Sequence, residues 1–241
     1  MKYHQLTVIQ HAVLKRIGAL GLPTGARVLD APCGSNAALT CALKEQGFNA
    51  VGADIDSEAA TLLGERFAKV DLNGPFPWPD QTFEAVISTE GIEHLENHYF
   101  FLREIRRILK PDGALVLTTP NITALRSRVR FFGSGFFGRD ARPLNEAARH
   151  PLHHIGLATF PELRYELHVS GFRLSEVRHT HIKPVSYVYS IYVPWVWLYT
   201  LLAFRKEKDS AQRERNKETR AVLLSPPLLF GENLLLVAKK A

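Results

Sequence analysis

The stretch that decides the fold is Arg27-Val28-Leu29-Asp30-Ala31-Pro32-Cys33-Gly34-Ser35-Asn36. Residues 27–30 are typical of a short buried strand that ends in an acid, and residues 37–46 have the apolar spacing of a helix. A strand, a tight loop of small residues and a helix in this order place backbone N–H groups at a helix N-terminus, where they can bind a charged ligand. The segment therefore predicts the first unit of an α/β sheet, with a ligand-binding loop at residues 30–36.

The same alternation of apolar runs and helical patterns continues along the chain. Further strands are predicted at residues 50–54, 68–71, 83–88, 114–119, 172–180 and 233–238. Helices are predicted at 57–63, with Ser57 as the N-cap, at 99–109 and at 161–170, and Lys110-Pro111-Asp112-Gly113 is predicted to be a turn. Strands that alternate with helices predict a mostly parallel sheet covered by helices.

Acidic residues end the first three predicted strands, at Asp30, Asp54 and Asp71. Ligands of open α/β sheets bind at the carboxyl ends of the strands, so these acids are expected to line one crevice. Asp30 could orient the loop or an amino group, Asp54 could accept hydrogen bonds from both hydroxyls of a ribose, and Asp71 could hold an adenine amine. The alternatives are a nicotinamide dinucleotide fold, which the absence of G-x-G-x-x-G disfavours, and three unrelated surface acids.

Composition excludes some classes of protein and leaves others open. With 46% hydrophobic and 22% charged residues among 241, the chain is ordinary globular protein, and we expect a single domain over residues 1–241. The net charge of +6 is compatible with phosphate, nucleic acid or an anionic membrane surface, and does not choose among them. The two cysteines, Cys33 and Cys41, form no disulfide framework, and the first ten residues contain no secretory signal. A cytoplasmic location is therefore expected.

Five motifs together resemble the class I S-adenosylmethionine-dependent methyltransferases, over roughly residues 25–180 and the last strand. They are Val28-Leu29-Asp30-Ala31-Pro32-Cys33-Gly34, Val51-Gly52-Ala53-Asp54, Phe83-Glu84-Ala85-Val86-Ile87-Ser88, Glu90-Gly91-Ile92-Glu93-His94-Leu95 and Arg103-Glu104-Ile105-Arg106-Arg107-Ile108-Leu109-Lys110-Pro111-Asp112-Gly113. The resemblance implies a Rossmann-like, seven-stranded, mostly parallel sheet whose last strand runs antiparallel between strands five and six. It also implies S-adenosylmethionine as the cofactor, with contacts from Asp30, Ala31, Cys33, Gly34, Asn36, Asp54, Ile55, Asp71, Leu72 and Ser88.

The loop departs from the family pattern at two positions that usually hold glycine, where this chain has Pro32 and Asn36. Asparagine tolerates a left-handed backbone better than most residues, so Asn36 is expected to serve in place of glycine. Pro32 removes a backbone donor and stiffens the turn. The expected outcome is that binding is retained; a weakened or lost cofactor site is the alternative.

The segment from Glu90 to His94 follows strand four, beside the expected position of the transferred methyl group. Glu93 and His94 are therefore the candidate catalytic residues, since a hydroxyl acceptor reacts faster when a base or a metal lowers its pKa. The run also resembles the metal-assisted O-methyltransferases. That resemblance implies Mg, Mn or Zn bound by Glu90, Glu93, His94 and His154, with His153 as a substitute. The alternative is that Glu93 and His94 only cap a helix and contact substrate or cofactor.

The second half of the chain contains two unusual segments. Residues 122–160 are predicted to form a substrate or cap segment, with arginines and phenylalanines at 126–139, and residues 183–231 form an insert between strands six and seven. Within the insert, residues 185–204 contain no charge, four tyrosines and two tryptophans. This length suits a membrane span, but the last strand must rejoin the sheet and Pro194 would break a straight helix. An interfacial or re-entrant helical hairpin is therefore predicted, and packing on the core or at a homodimer interface is the alternative. The arginine and phenylalanine stretch at 126–139 has the same two interpretations, and phosphate binding is a third.

Thr119-Pro120-Asn121 and these two segments together resemble bacterial methyltransferases from surface-polysaccharide gene clusters. The resemblance implies O-methylation of a sugar hydroxyl on a glycan or lipid-linked glycan, by a cytoplasmic protein peripheral to the inner face of the membrane. Three other functions stay open: methylation of a quinone-type or prenylated lipid, RNA methylation, and a non-catalytic cofactor-binding subunit. Nucleic acid is the disfavoured partner because we find no RNA-binding module in the sequence.

Overall fold

Seven strands form one mixed sheet in the order β3-β2-β1-β4-β5-β7-β6. The structure is a computed structural model that describes residues 5–137, 144–147 and 153–241. The strands are β1 (Arg27–Asp30), β2 (Asn49–Asp54), β3 (Phe67–Lys69), β4 (Phe83–Thr89), β5 (Leu109–Pro120), β6 (Phe172–His179) and β7 (Asn233–Lys240). β7 pairs antiparallel with both β5 and β6, and the pairings of β1 through β5 are parallel. The predicted seven-stranded fold is therefore confirmed.

Helices cover both faces of the sheet. They are α1 (Val8–Gly18), α2 (Ala38–Glu45), α3 (Ala60–Leu63), α4 (His98–Ile108), α5 (Leu125–Ser134), α6 (Phe160–Val169), α7 (Val193–Phe204), α8 (Ser210–Leu223) and α9 (Pro226–Phe230), with 3₁₀ helices at Gly64–Arg66, Ile92–His94 and Pro184–Tyr192. Alternate residues of a strand point to opposite faces, so the central strands contribute to two separate cores. Leu115 and Leu117 pack with α4 and α6 in one core, and Val116 packs with α1 and α2 in the other.

Capping residues begin the helices that support the carboxyl edge of the sheet. The Asn97 side chain accepts a hydrogen bond from the Phe100 N–H at the start of α4. Thr159 and Glu162 form a capping box at the start of α6, where Pro161 occupies the first turn. These residues satisfy backbone donors that have no partner within the helix.

The structure differs from the predictions at two places in this half of the chain. Residues 110–113, predicted to be a turn, form an irregularity within β5, where the register shifts opposite Phe83 and Ala85. Asp112 has φ 60°, which bends the chain without ending the strand. Ser57 is not a helix N-cap, because α3 begins only at Ala60 and Ser57 closes a backbone turn before it.

Asn121 ties the end of β5 to the segment that precedes β7. Its side-chain amide donates to the carbonyl oxygens of Pro227, Leu228 and Gly231 at 3.2, 3.1 and 3.0 Å. Asn121 is 2% exposed, so these bonds replace water that cannot reach it. They place the first residue of β7 at the carboxyl edge of the parallel strands.

The insert contains one long helical run rather than a hairpin within residues 185–204. A 3₁₀ helix over Pro184–Tyr192 continues directly into α7, and the change occurs beside Pro194, which occupies the first turn of α7. Proline fits there because the first turn needs no backbone donor from it. The run Pro184–Phe204 is long and apolar enough to cross a membrane by length and composition alone. The proposed cap segment contains α5, and Arg139, at the end of its predicted arginine and phenylalanine stretch, lies outside the described residues.

Candidate cofactor and catalytic site

The loop after β1 is held by hydrogen bonds to the two neighbouring strands. The Ala31 N–H donates to the Ile87 carbonyl of β4, and the Cys33 N–H donates to the Ala53 carbonyl of β2, both at 2.9 Å. The Gly34 N–H donates to Asp54 Oδ2 at 2.8 Å. The loop therefore crosses the carboxyl ends of three adjacent strands, where an open α/β sheet binds its ligand.

The left-handed residues of this loop are Gly34 and Ala37, with φ of 69° and 45°. The expectation that Asn36 adopts this conformation is therefore wrong. The side-chain oxygen of Asn36 instead accepts a hydrogen bond from the Ala38 N–H at 3.2 Å and so supports the first turn of α2. Asparagine often makes this local contact with the backbone. An asparagine in a loop can therefore serve either as such an acceptor or as a left-handed residue.

Asp30 is 1% exposed, and its carboxylate accepts a hydrogen bond from Thr40 Oγ1 at 2.7 Å. Burial, with a smaller contribution from the charge of Asp54, raises the pKa of Asp30 to about 7, although the Thr40 bond opposes the shift. A cationic group placed beside Asp30 would reverse this shift by favouring the ionised form. Asp30 is therefore suited to bind the amino group of S-adenosylmethionine, the cofactor that the sequence resemblance implies.

Of the three predicted acids, the structure brings two to the sheet edge. Asp54 ends β2, and its Oδ1 accepts the Asp56 N–H at 3.1 Å. β3 ends at Lys69, two residues before Asp71, which is exposed and accepts hydrogen bonds from Asn73. Asp71 is thus a loop acid rather than a strand-end acid, because the third strand is shorter than its sequence pattern indicates.

Three other predicted cofactor contacts lie at the same edge with different exposures. Ile55 is 43% exposed, Leu72 is 7% exposed and Ser88 is fully buried. The Ser88 hydroxyl has no hydrogen-bond partner among the described residues. The adjacent Gly91 allows close packing with Pro32, since a Cβ on Gly91 would lie 2.4 Å from Pro32 Cδ and 3.0 Å from Ser88 Oγ. This contact joins the cofactor loop to the segment that contains the candidate catalytic residues.

Glu90 is held by two distant parts of the chain. It has φ 50°, its Oε1 accepts from Thr118 Oγ1 at 3.1 Å, and its Oε2 accepts from the Asn233 side-chain amide at 2.7 Å. Burial raises the pKa of Glu90 to about 7, against the effect of these two donors. Its carboxylate is therefore already occupied by protein donors.

Glu93 is fully buried and has one free carboxylate oxygen. Its Oε2 accepts from Thr119 Oγ1 at 3.0 Å, and its Oε1 has no hydrogen-bond partner among the described residues. Burial raises the pKa of Glu93 to about 8, and the charge of Glu90 adds to this shift. A buried oxygen without a partner is costly in a folded protein, so it points to a proton or ligand that completes the site.

The imidazole of His94 is oriented by a backbone carbonyl. His94 Nδ1 lies 3.1 Å from the His153 carbonyl oxygen, which can only accept, so Nδ1 carries the proton and Nε2 is left with its lone pair. Burial lowers the pKa of His94 and therefore favours this neutral form. The ring of His154 packs edge-on against it, with 4.8 Å between ring centroids.

Glu93, His94 and His154 form a group with ligand atoms within 4.8 Å of one another. One carboxylate and two imidazoles are a donor set that Zn, Mn and other divalent ions accept, and the free Glu93 oxygen fits this use. Glu90, which the resemblance implied as a fourth ligand, does not belong to this group. His153 contributes its carbonyl oxygen to His94.

The hydroxyl and amide donors of the site were missed by sequence reasoning. They are Thr40, Thr118, Thr119 and Asn233. Thr118 and Thr119 carry a usable signal, since they are polar residues at the end of an otherwise apolar strand. Asn233 lies 143 residues after Glu90 in the chain, so only the fold brings them together.

Comparison with known proteins identifies the family of this chain. Residues 2–183 match the family model described as a methyltransferase domain. The 2-methyl-6-phytyl-1,4-hydroquinone methyltransferase of Synechocystis sp. is 32% identical over 119 residues, which are 46% of this chain and 37% of that protein. A probable S-adenosylmethionine-dependent methyltransferase of Mycolicibacterium smegmatis is 28% identical over 63% of this chain and 54% of that protein. The chain thus spans about half or less of the length of these curated relatives.

A solved structure shows the same fold. The S-adenosylmethionine-dependent methyltransferase of Archaeoglobus fulgidus superimposes with a TM-score of 0.56 at 20% identity, over 96% of this chain and 94% of that one. This likeness shows that almost the whole chain has this fold. The chain therefore belongs to the methyltransferase domain family and has the fold of the S-adenosylmethionine-dependent methyltransferases, as its sequence motifs predict.

Proposed function

We propose that this methyltransferase is an O-methyltransferase that uses S-adenosylmethionine to methylate a sugar hydroxyl, on a glycan or lipid-linked glycan. The observation that carries the proposal is the free, buried Oε1 of Glu93 beside two imidazoles, at the edge that also contains the cofactor loop. A cluster of one carboxylate and two imidazoles provides hydrogen-bond partners for a polyhydroxyl acceptor, which an apolar pocket would not.

The residues of the chain have separate roles in this reaction. Asp30 and Asp54 bind the cofactor, with Asp54 also fixing the loop through the Gly34 N–H. When bound, S-adenosylmethionine supplies an electrophilic methyl group on a sulfonium. Glu93 Oε1 accepts the proton of the acceptor hydroxyl as the new C–O bond forms and the S–C bond breaks. Thr119 holds the other oxygen of Glu93 in place, so that the free oxygen faces the reacting group.

A divalent ion offers an alternative to the base: bound by Glu93, His94 and His154, it would lower the pKa of the acceptor hydroxyl, and Glu93 Oε1 would then be a ligand of the ion. His94 is prepared for this role because its Nδ1 hydrogen bond leaves Nε2 free. In this arrangement Glu90 is a positioning residue that Thr118 and Asn233 hold beside Glu93.

Glu93→Gln tests the proposed base. We expect methyl transfer from labelled S-adenosylmethionine to fall roughly a hundredfold to ten-thousandfold, because the amide cannot take up the proton. Binding of S-adenosylhomocysteine should be unchanged. Glu96→Gln is the matched control, since Glu96 is exposed on the same segment and should keep full activity. Equal activity of the Glu93→Gln variant would show that Glu93 is not the base.

Metal dependence has its own test. We expect chelator to lower methyl transfer and Mn²⁺ or Zn²⁺ to restore it, and native mass spectrometry should show one bound ion that His154→Ala loses. Glu90→Gln should keep the ion, because Glu90 lies outside the ligand group. Full activity in chelator together with no bound ion would exclude the metal.

A second candidate acceptor is a quinone-type or prenylated lipid. The relative from Synechocystis sp., named as a phytyl-hydroquinone methyltransferase, favours it. A panel that offers oligosaccharides, lipid-linked sugars and hydroquinones with labelled cofactor distinguishes the two acceptors. Label found in hydroquinones alone would replace the sugar proposal. Cofactor binding without transfer to any acceptor in the panel would favour a non-catalytic cofactor-binding subunit.

A further inference from the structure

The helical run Pro184–Phe204 and the end of α5 leave an apolar surface uncovered. Ile191 is 72% exposed, Trp195 67%, Tyr199 66% and Phe132 of α5 93%. The most apolar 18 consecutive residues of the run are 0% buried in the fold. The 3₁₀ part of the run packs beside α5. We call residues 184–204, together with Phe131 and Phe132 at the end of α5, the apolar surface.

The apolar surface lacks the polar face that a helix docked on a protein partner needs. Residues 185–204 include no charged side chain, and the exposed Trp195 and Trp197 are two positions apart, so they point to different sides of the helix. A helix that is apolar all round is typical of a protein core or of lipid. Its tryptophans and tyrosines are the residues that prefer the boundary between lipid and water.

Basic side chains follow the run and suit an anionic membrane. Arg205, Lys206 and Lys208 are exposed and form no ion pair with any described residue. The nearby acidic side chains accept hydrogen bonds from the backbone: the Glu207 carboxylate accepts the Asp209 N–H, and the Asp209 carboxylate accepts the Gln212 N–H. The positive charge beside the apolar surface is therefore free to meet lipid headgroups.

The position of α8 excludes a single crossing of the membrane by this run. α8 follows the run, its Leu223 is 8% exposed in the main core, and its Glu218 pairs with Arg164 of α6. A crossing would place α8 on the far side of the bilayer from this core. The run can enter lipid only by lying at its surface.

The apolar surface is tied to the catalytic edge of the sheet. Lys183, which precedes the run, and Arg126 of α5 both pair with Glu232. The next residue, Asn233, donates to Glu90 at 2.7 Å. A membrane against this surface would lie beside the segment that holds Glu90, the neighbour of Glu93.

We infer that the chain docks on an anionic membrane through the apolar surface and takes its acceptor from that membrane. The docking is independent of the reaction, whereas the delivery of a lipid-linked acceptor rests on the proposed function.

Flotation of the full chain with vesicles tests the docking. We expect most of the protein to float with vesicles of phosphatidylcholine and phosphatidylglycerol, and less with phosphatidylcholine alone. The double variant Ile191→Glu and Trp195→Glu should reduce the floated fraction about tenfold. Tyr165→Glu is the matched control, since Tyr165 is 62% exposed on α6, away from the apolar surface, and should float like the unmodified chain. Calorimetry with S-adenosylhomocysteine verifies that each variant is folded.

The basic residues have a separate test. The triple variant Arg205→Gln, Lys206→Gln and Lys208→Gln should lose the preference for phosphatidylglycerol, while Lys15→Gln, Lys44→Gln and Lys69→Gln together should keep it. A chain that stays off both kinds of vesicle overturns the docking. A second result would also overturn it. If the unmodified chain sediments as a dimer, and the Ile191→Glu and Trp195→Glu variant is monomeric but floats as before, the surface joins two copies of the chain instead. Flotation together with methylation of soluble acceptors only would keep the docking and overturn the lipid-linked acceptor.

Discussion

Asp30 shows how burial gives one residue of the first strand an unusual acidity. Its carboxyl group is fully enclosed, and the Thr40 hydroxyl is the side-chain donor that stabilises its charge. Burial therefore raises the pKa of Asp30 to about 7, from an ordinary value of 3.8. In the unfolded chain the same group ionises near its ordinary value, so folding and protonation are linked.

The first prediction concerns the pH dependence of stability at Asp30. As the pH rises from about 4 to about 7, the unfolded state loses this proton while the folded state keeps it, so the free energy of unfolding falls. Above that range this group no longer changes the free energy of unfolding. The full effect is on the order of 4 kcal/mol. Asp30→Asn should remove it, so urea denaturation should show the variant gaining stability relative to the unmodified chain between those pH values. A difference that does not change with pH would contradict the assigned pKa.

Residues of the site differ in how far the sequence predicts them. Asp30 and Asp54 were predictable because strand ends are visible as the last residue of an apolar run. Asn36 was misassigned because two local roles, a left-handed turn and a helix-start acceptor, use the same residue type. The contact of Glu90 with Asn233 depends on pairing between strands far apart in the chain, which no local pattern encodes.

At the scale of elements, the cofactor loop and the Ile92–His94 helix are packed as one unit. Gly91 precedes that helix, and its lack of a side chain lets the Pro32 ring approach. The proline at a position that is usually glycine is thus matched by a glycine in the opposite segment. This pairing explains how the loop keeps its course with one glycine fewer.

Gly91→Ala tests this packing. Its Cβ would lie 2.4 Å from Pro32 Cδ, and a proline ring cannot swing aside, so the loop must shift. We expect the variant to lose about 1–3 kcal/mol of stability and to bind S-adenosylhomocysteine about tenfold more weakly. Gly18→Ala is the control, because its Cβ would meet only Gln46 Oε1, at 3.9 Å. Unchanged stability and affinity in Gly91→Ala would show that the loop does not depend on this contact.

The boundaries of the strands, like the contacts of single residues, depend in part on segments that are distant in the chain. The sequence pattern ended β3 two residues too late, at Asp71, and began β5 only at Ala114, after its bend, because pairing with the neighbouring strands decides where a strand ends. The insert was predicted as apolar from its composition, but its form as one continuous run depends on packing against α5 and α8.

At the scale of the whole molecule, the chain brings three candidate features to one edge of the sheet. The cofactor loop, the group of Glu93, His94 and His154, and the start of the apolar surface all follow the carboxyl ends of parallel strands. The antiparallel return of β7 between β5 and β6 was predictable from the family resemblance, because the sheet topology is common to the family. The acceptor was not predictable, because it depends on side chains outside the shared fold.

We propose that the loop after β1 and Asp54 bind S-adenosylmethionine, and calorimetric titration with S-adenosylhomocysteine measures this binding. Asp54→Ala removes both the acceptor for the Gly34 N–H and the proposed partner of the ribose hydroxyls. Asp80→Ala is the control, because Asp80 is an exposed residue that pairs with Arg107 away from the loop. The prediction is one binding site in the unmodified chain and in the control, with affinity at least about tenfold weaker in Asp54→Ala. No binding heat from the unmodified chain, or equal affinity in Asp54→Ala, would contradict the claim.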